Sequence, residues 1–467
     1  MKTFSKILLG ALMTACVLPA QASFVGDRTD FRDETIYFAM TTRFYDGDQK
    51  NNVCTWDKQQ QQIDDKDPCW RGDFAGLIEK LDYIKALGFT AIWITPIVQN
   101  GSGIDYHGYH AMDLSTVDLR YESRKEWGSA KDVKFQDLID AAHAKGLKIV
   151  LDVVLQHTGN FGEAKLNPLF TRNQNIRNQA SIEHCMKPGD RLGSDYWKLP
   201  LKEQYPARWI YFKNPQYEPH NYYHHYGTGW NWDFPNRWWG QIAGDCVDLN
   251  TENDAVAEYV VECYGKFIEM GVDAFRIDTS GHISPLTFNT QFIPQFTELG
   301  KKYKNKRLNG ADFFMFGEVC QRFQGSVVYR NQPNLSSYFY TWKSDPSLVS
   351  EFNAQSSADW WDGQVLPEGH DTPVGPMAVC EKDVTDKARS NNALMINGAW
   401  HEPDYSQWSG FSIIDFPVHY SFKSVGDIQQ YFKQDNYYND ATYNVVYVDS
   451  HDYSPGPNDG IRFNGGT

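Results

Sequence analysis

Short apolar runs alternate along the chain with longer segments whose apolar residues recur every three or four positions. The clearest helical segment is 74–87, whose apolar face consists of Leu77, Leu81, Ile84 and Leu87. After Gly88, the run 91–95 has the pattern of a buried strand. The same patterns predict helices at 135–144 and 255–270 and strands at 36–40, 149–154, 272–277, 313–316, 411–414 and 445–448. Such repeated units predict an α/β fold with a parallel sheet, open or closed into a barrel.

Two long stretches interrupt this alternation. Residues 156–250 separate the third predicted strand from the next helix, and residues 321–410 follow the fifth strand. Loops of this length inside an α/β domain are usually functional or form small subdomains. We therefore expect one barrel in two parts, at 23–155 and 251–467, with residues 156–250 as an inserted domain.

The first 22 residues have the pattern of a secretory signal. Lys2 and Lys6 accompany an apolar run at 7–18, and Ala20-Gln21-Ala22 places small residues where a signal peptidase cleaves. A lipoprotein site at Cys16 is the alternative. No later stretch has the apolar length of a membrane span. We expect a secreted or periplasmic protein.

Export makes disulfide bonds permissible. Cys54 and Cys69 flank a polar, Gln-rich loop and form the best candidate pair. Pairing among the others cannot be read from the sequence: Cys185, Cys246, Cys263, Cys320 and Cys380. If Cys16 leaves with the signal, the odd number that remains predicts at least one free thiol.

The charge of the chain disfavours one class of partner. The 467 residues include 44 basic and 59 acidic ones, for a net charge of −15. Nucleic acid is an improbable main partner because phosphate binding needs concentrated positive charge. Aromatic residues make up 15% of the chain, and their rings suit sugar ligands as well as core packing.

Residues with catalytic potential follow most of the predicted strands. They are Asp152, His157, Arg276, Asp278, Glu318, His451 and Asp452. Singly, an Asp after a strand is commonly a turn former or a helix cap. Because the carboxyl ends of parallel strands lie on the same side of a sheet, we expect these side chains to lie close together at that end of the sheet or barrel.

Such a cluster suits glycoside hydrolysis. One carboxylate attacks the anomeric carbon, and a second, held protonated, delivers a proton to the leaving oxygen. Arg276 lies two residues before Asp278 on the same strand face, where its charge would favour the ionised nucleophile. Glu318, beside the apolar Val319, suits the proton donor.

Several motifs in this order and spacing carry a specific resemblance. They lie at 72–97, 106–109, 152–157, 247–250, 271–282, 316–319 and 448–452, and include Gly-Val-Asp-Ala-Phe-Arg-Ile-Asp at 271–278. The chain resembles the α-amylase family of glycoside hydrolases (family 13) from residue 36 to about residue 459. The resemblance implies a (β/α)8 TIM-type barrel with a long insertion, domain B, after the third strand.

The resemblance also implies roles for individual residues. Asp278 matches the family nucleophile, Glu318 the acid/base and Asp452 the third carboxylate, which stabilises the transition state. The residues that match the sugar-binding positions of the cleavage subsite are His107, Tyr109, His157, Arg276 and His451. The family retains anomeric configuration, so we expect the Asp278 and Glu318 carboxyl groups to lie about 5–5.5 Å apart.

The implied function is a secreted α-glucan hydrolase that cleaves α-1,4 bonds in starch, glycogen or maltooligosaccharides. A cyclodextrin-forming transglycosylase and an inactive glucan-binding fragment are the alternatives. Many α-amylases have a Lys before the second-region His, and here that position is Gly281, which leaves the endo or exo mode open. We expect a monomer.

Calcium is the expected ion. One loop clusters oxygen ligands at Asp46, Asp48, Asn51 and Asn52, with Gly72 and Asp73 near by. A polar turn would have the same composition, but related enzymes hold Ca²⁺ with this spacing. A second family site would use Asp248 and the His282 carbonyl, and here Gln156 stands where the family has Asn.

The end of the chain departs from the family. We count seven of eight barrel strands, and only 15 residues follow Asp452. We therefore expect a chain truncated before the eighth strand and before the C-terminal β-sandwich domain of the family.

Overall fold

The computed structural model describes most of the first two thirds of the chain and shorter pieces of the rest. The described residues are 28–52, 71–101, 107–172, 186–230, 235–284, 287–319, 328–329, 332–333, 340–341, 343, 395–396, 399–400, 408–421, 424–431, 441–447 and 450–452.

A six-stranded parallel sheet forms the centre of the fold. Its strands, numbered β1 to β6 and adjacent in chain order, are Ile36–Ala39, Ala91–Ile94, Lys148–Val153, Ala274–Ile277, Phe314–Gly317 and Ser412–Ile413. Each coincides with a predicted strand within two residues at either end. Val445, in the seventh predicted strand, continues the order through a parallel bridge to Ile414. The predicted parallel arrangement is confirmed.

Alternate residues of these strands pack into two cores. Trp93, Val150 and Phe316 belong to an inner cluster. Ile92 and Leu151, which are adjacent to them in the chain, point to the opposite face and belong to a larger core that includes side chains of the helices. Because side chains alternate across a strand, strands covered on both faces must be apolar on both. The continuous apolar runs in the sequence reflect this double burial.

The described helices are α1 (Phe74–Ala86), α2 (Phe135–Ala144), α3 (Leu201–Phe212), α4 (Asp254–Met270), α5 (Ile293–Lys302), α6 (Phe416–Ser421) and α7 (Val425–Tyr431). Apolar side chains of α1, α2, α4 and α5 join those of the strands in the larger core, whereas α3 lies within the insertion 156–250. In α1, Leu77, Leu81 and Ile84 are buried as predicted. Leu87 is not: it lies just after the helix and is 51% exposed, because the chain turns away at Gly88, which has a φ of 94°.

Short antiparallel pairs complete the described secondary structure. The pairs are Val98–Asn100 with Ala111–Val117, His157–Gly159 with Cys246–Asp248, Phe170–Arg172 with Met186–Pro188, Val328–Tyr329 with Gln332–Pro333, and Met395–Ile396 with Ala399–Trp400. The second pair joins the two ends of the segment 156–250. The two ends of this insertion therefore lie side by side, one directly after β3 and the other shortly before α4.

The free edge of β1 faces an open space. Within the described part of the chain, β1 pairs with β2 alone, and a cavity of about 970 Å³ lies between β1 and residues 442–447. Tyr37, Phe38, Tyr443 and Tyr447 are among its lining residues. The two ends of the sheet thus approach each other without pairing there.

Some sequence predictions fall on residues outside this description. The signal segment 1–22, the candidate disulfide partners Cys54 and Cys69, and most of the insertion 321–410 are among them. Cys246 and Cys263 are buried free thiols. Among the helices that can be described, none combines the length and the apolar character that crossing a bilayer requires.

An ion pair is buried at the amino-terminal end of β3. The Lys148 Nζ atom lies 2.9 Å from Glu34 Oε1, and neither side chain is exposed to solvent. Arg28 donates to the other oxygen of Glu34 at 2.8 Å. Removing one partner of a buried pair leaves an uncompensated charge, which is costly.

We predict that Glu34→Gln lowers the free energy of unfolding by about 3–5 kcal/mol, because Lys148 and Arg28 then lose the buried carboxylate that pairs with both. Asp195→Asn is the matched control, since Asp195 and Lys198 form a 2.7 Å pair whose side chains are more than three quarters exposed. It should cost less than about 1 kcal/mol. Urea unfolding of both variants tests this, and equal midpoints would contradict it.

Candidate active site

Arg276 lies at the centre of a carboxylate cluster at the carboxyl ends of β3, β4 and β5. Its Nη1 donates to Asp278 Oδ1 at 2.6 Å and to both oxygens of Asp152 at 3.1 Å. Its Nη2 donates to Glu318 Oε2 at 2.6 Å. The strand register explains this arrangement, because Arg276 is paired with Asp152 on one side and with Phe316, two residues before Glu318, on the other.

The charge of Arg276 is permanent. Burial opposes it, but the surrounding carboxylates outweigh burial and raise the pKa of Arg276 above its ordinary value. The guanidinium is 1% exposed and lies 5.1 Å from the centre of the Trp93 ring. A charge-assisted network of this kind fixes its members in one geometry.

Asp152 connects this cluster to an aromatic wall. The Trp93 indole donates to Asp152 Oδ2 at 2.9 Å, and the Tyr109 hydroxyl donates to the same atom at 2.8 Å. Burial raises the pKa of Asp152 to about 7, against the opposing charge of Arg276. The sequence analysis places Asp152 at a strand end and assigns it no role. Trp93 could have indicated one, because an indole N–H inside an apolar strand needs a buried acceptor.

His451 and Asp452 reach the same wall from the far end of the chain. His451 Nε2 lies 3.0 Å from the Tyr109 hydroxyl and 3.0 Å from Asp452 Oδ2. The His451 ring stacks on Phe38 with centroids 4.7 Å apart. Partial burial acts against it, but the hydrogen bond to His451 and the charges of His451 and Arg276 lower the pKa of Asp452. Half of the Asp452 side chain remains exposed.

Two further histidines are held in neutral form behind Tyr109. The Tyr109 amide donates to His107 Nδ1 at 3.1 Å, and burial lowers the pKa of His107 to about 3. His157 donates from Nε2 to the Tyr109 carbonyl at 3.0 Å, so its Nδ1 accepts from Gln156 at 2.8 Å. Burial lowers the pKa of His157 as well.

The residue after Asp278 has an unusual backbone. Thr279 has φ 38° and ψ 39°, the left-handed region that β-branched residues rarely adopt. Its hydroxyl donates to Asp278 Oδ2 at 3.1 Å. Such conformations cost about 1–3 kcal/mol and are concentrated at functional sites.

The candidate calcium loop folds around Asp73. This side chain caps α1 by accepting from the Gly76 amide at 2.6 Å, and it also accepts from Gly47, Asp48 and Asn51. Gly47 is required there, because a Cβ would lie 2.2 Å from the Gly76 nitrogen. The Asn52 amide donates to Asp46 at 2.7 Å. The sequence-predicted residues of this site therefore do come together.

The second candidate calcium site has a different organisation. His224 Nδ1 lies 2.5 Å from Asp248 Oδ2, and its Nε2 lies 2.9 Å from Glu252 Oε2. Burial disfavours the charged ring, but these two carboxylates outweigh it and raise the pKa of His224 to about 9. The Gln156 amide binds the His157 ring and the Thr279 hydroxyl. The His224 imidazolium thus binds one oxygen of Asp248, while Asp248 Oδ1 and Gln156 Oε1 are buried with no hydrogen-bond partner among the described residues. The second calcium site stays a prediction.

Comparisons with known proteins agree with this architecture. Residues 38–355 match the family described as the α-amylase catalytic domain. The chain is 30% identical over 307 residues to a β/α-amylase of Paenibacillus polymyxa, a match that covers 64% of this chain and 19% of that protein. It is 33% identical over 269 residues to an α-amylase of Streptomyces lividans, covering 53% and 27%.

A cyclomaltodextrin glucanotransferase of Klebsiella oxytoca is 30% identical over 301 residues, covering 62% of this chain and 38% of that enzyme. The matches therefore span well under half the length of these relatives. The family match itself covers more than half of this chain, and the (β/α)8 barrel of the family accounts for the consecutive parallel strands β1 to β6. The chain belongs to the α-amylase family of glycoside hydrolases.

Proposed function

We propose that this protein is a retaining glycoside hydrolase that cleaves α-1,4-glucosidic bonds of starch, glycogen or maltooligosaccharides. The observation that carries the proposal is the pair of 2.6 Å hydrogen bonds from Arg276 to Asp278 and Glu318. Two buried carboxyl groups held on neighbouring strands are what double displacement requires. Similarity to amylases supports the α-glucan class of substrate.

In this proposal Asp278 attacks the anomeric carbon and forms the covalent glycosyl intermediate, while Glu318 protonates the leaving oxygen. Glu318 then removes a proton from the water that hydrolyses the intermediate. Because Arg276 already binds Oε2 of Glu318, we place the transferred proton on Oε1. The separation of about 5–5.5 Å between the two carboxyl groups stays a prediction.

The remaining side chains would bind and stabilise the sugar. Asp452 keeps its negative charge beside the exposed end of the cluster and would stabilise the oxocarbenium-like transition state. Tyr109 and His451 are held rigidly by Asp152 and Phe38 and would form the wall of the cleavage subsite. We assign His107 and His157 to the same subsite.

Transglycosylation is the second candidate activity, and the similarity to a cyclomaltodextrin glucanotransferase favours it. Both activities use the same covalent intermediate and differ in whether water or a sugar hydroxyl attacks it. Chromatography of the products distinguishes them, because transfer yields cyclic or lengthened oligosaccharides.

We propose that Ca²⁺ binds the loop that carries Asp46, Asp48 and Asn51. Asp46 Oδ1 and Asn51 Oδ1 are buried there, and no described residue donates a hydrogen bond to either. Oxygen atoms of this kind are the ligands that Ca²⁺ prefers. The Gly72 carbonyl and Asn52 would complete the set, while Asp73 organises the loop through its four N–H donors. The bound ion would neutralise the carboxylates and fix this loop.

Secretion or periplasmic export, directed by residues 1–22, belongs to the same proposal. The signal pattern at residues 1–22 is the observation that supports this location.

We predict that Asp278→Asn abolishes reducing-sugar release from soluble starch, with kcat reduced on the order of 10⁴-fold or more, because the amide cannot form the glycosyl intermediate. Glu318→Gln should reduce it by about 10²–10⁴-fold through loss of proton transfer. Asp195→Asn, a change at an exposed surface pair, should be silent. Retained activity in Asp278→Asn would refute the assignment.

A second measurement tests the stereochemistry. NMR of the first product formed from a maltooligosaccharide should show the α anomer, since two inversions at one carbon restore the original configuration. Initial appearance of the β anomer would exclude a covalent intermediate on Asp278.

We also predict that calcium stabilises the protein through the Asp46 loop. Ca²⁺ at 100 times its dissociation constant should add about 2.7 kcal/mol to the free energy of unfolding, because it binds the folded state alone. The double variant Asp46→Asn and Asp48→Asn should lose this effect, and Asp195→Asn should keep it. Thermal melting with and without EGTA is the measurement, and an unchanged wild-type midpoint would contradict the prediction.

A further inference from the structure

Three side chains of types that can ligate a metal lie close together near the active site. The proposed hydrolysis uses none of them. His110 Nε2 lies 3.1 Å from Asp245 Oδ2, and Cys246 Sγ lies 3.9 Å from Asp245 Oδ1. One ligand atom from each residue can be chosen so that all three lie within 4.8 Å of one another. This is the one such group of three among the residues that the structure describes.

The backbone holds each of these residues in place. The His110 amide donates to the Asn100 side chain at 2.8 Å, and the His110 carbonyl accepts from Gly101 at 3.0 Å. Cys246 begins a strand that is paired with Gly159, and the Asp245 carbonyl accepts from Asn160 at 2.9 Å. The three ligands thus come from two segments that the fold has already fixed against each other.

The donor set selects a class of metal. A nitrogen, a carboxylate oxygen and a sulfur suit Zn²⁺ and similar transition metals, whereas Ca²⁺ prefers oxygen alone. Ligand atoms around tetrahedral Zn²⁺ lie roughly 3.3–3.8 Å apart, given its bond lengths. The two distances to Asp245, 3.1 and 3.9 Å, bracket this range, and all three ligand atoms lie within 4.8 Å of one another, so side-chain rotations would bring them to one metal ion.

The surroundings leave room for a fourth ligand. Cys246 is buried, His110 is mostly buried and the Asp245 side chain is 39% exposed, so the cluster opens to solvent on one side. A structural alternative is an ion pair between His110 and Asp245 with the Cys246 thiol as packing. The two possibilities differ in what the thiol does when a metal is offered.

We propose that His110, Asp245 and Cys246 form a binding site for a divalent transition metal of the Zn²⁺ class, with water as the fourth ligand. Binding forms bonds to the imidazole, the carboxylate and the thiolate, and it releases the thiol proton to solvent. The bound metal ties the loop that carries Tyr109 to the strand that ends the insertion. This inference does not depend on the proposed hydrolysis.

The test uses Co²⁺ as a spectroscopic probe on the full chain, with excess Ca²⁺ to fill oxygen-only sites. One equivalent of Co²⁺ should produce a thiolate-to-cobalt charge-transfer band, which Zn²⁺ then displaces. Cys246→Ser should remove the band, and Asp245→Asn should weaken binding by at least about 10-fold, as even outer-shell changes do. Cys263→Ser is the matched control, since Cys263 is the other buried free thiol of the described residues.

Thermal melting supplies the second readout. Zn²⁺ should raise the melting temperature of the wild type and of Cys263→Ser by several degrees, and should leave that of Cys246→Ser unchanged. If Cys246→Ser does not fold, the binding of Co²⁺ and Zn²⁺ to Asp245→Asn tests the proposal, because the Asp245 side chain is 39% exposed and its substitution should be tolerated. The absence of a band in the wild type, or its persistence in Cys246→Ser or at full strength in Asp245→Asn, would overturn the proposal. Starch hydrolysis is not needed for either readout.

Discussion

The buried charge of Arg276 is the interaction on which the rest of the site depends. A guanidinium at 1% exposure is stable only when anions surround it, because an unpaired charge in an apolar interior is costly. Asp152, Asp278 and Glu318 supply acceptor oxygens from three adjacent strands, and Asp278, the proposed nucleophile, carries a negative charge. The dependence is mutual, since the guanidinium holds these three carboxyl groups in one geometry. The register of β3, β4 and β5 is therefore coupled to the chemistry at their ends.

Asp152 extends this order beyond the carboxylates. It accepts from Trp93 and Tyr109, and Tyr109 in turn contacts His451, which stacks on Phe38 of β1. Hydrogen bonds and one ring stack thus connect the first strand of the sheet with residues near the end of the described chain. They also cross the side between β1 and residues 442–447, where the described residues show no strand pairing between the two ends. Side-chain contacts to Tyr109 and Phe38 hold His451 in the site.

A buried charge as well as strand pairing holds together the two ends of the insertion and the residues that follow it. The His224 imidazolium lies between Asp248 and Glu252, fully buried, at the strand that closes the insertion. Asp248 and Glu252 therefore share a cation that the protein itself supplies. In the loop that carries Asp46, one oxygen each of Asp46 and Asn51 is buried without a hydrogen-bond donor among the described residues, and it is this loop to which we assign calcium.

The sequence alone determined the elements and the residue types of the site. The periodicity of apolar residues is a local property, so β1 to β6 and helices such as α1 could be predicted within a few residues, and the order of the motifs indicated the family. Leu87 shows where this failed, since its exposure depends on the direction of the chain after Gly88. Tertiary structure decided the partners: His224 for Asp248, Trp93 and Tyr109 for Asp152, and Tyr109 for His451, 342 residues away. Contacts of this kind depend on which strands become neighbours and in which register, and no local pattern of residues records that.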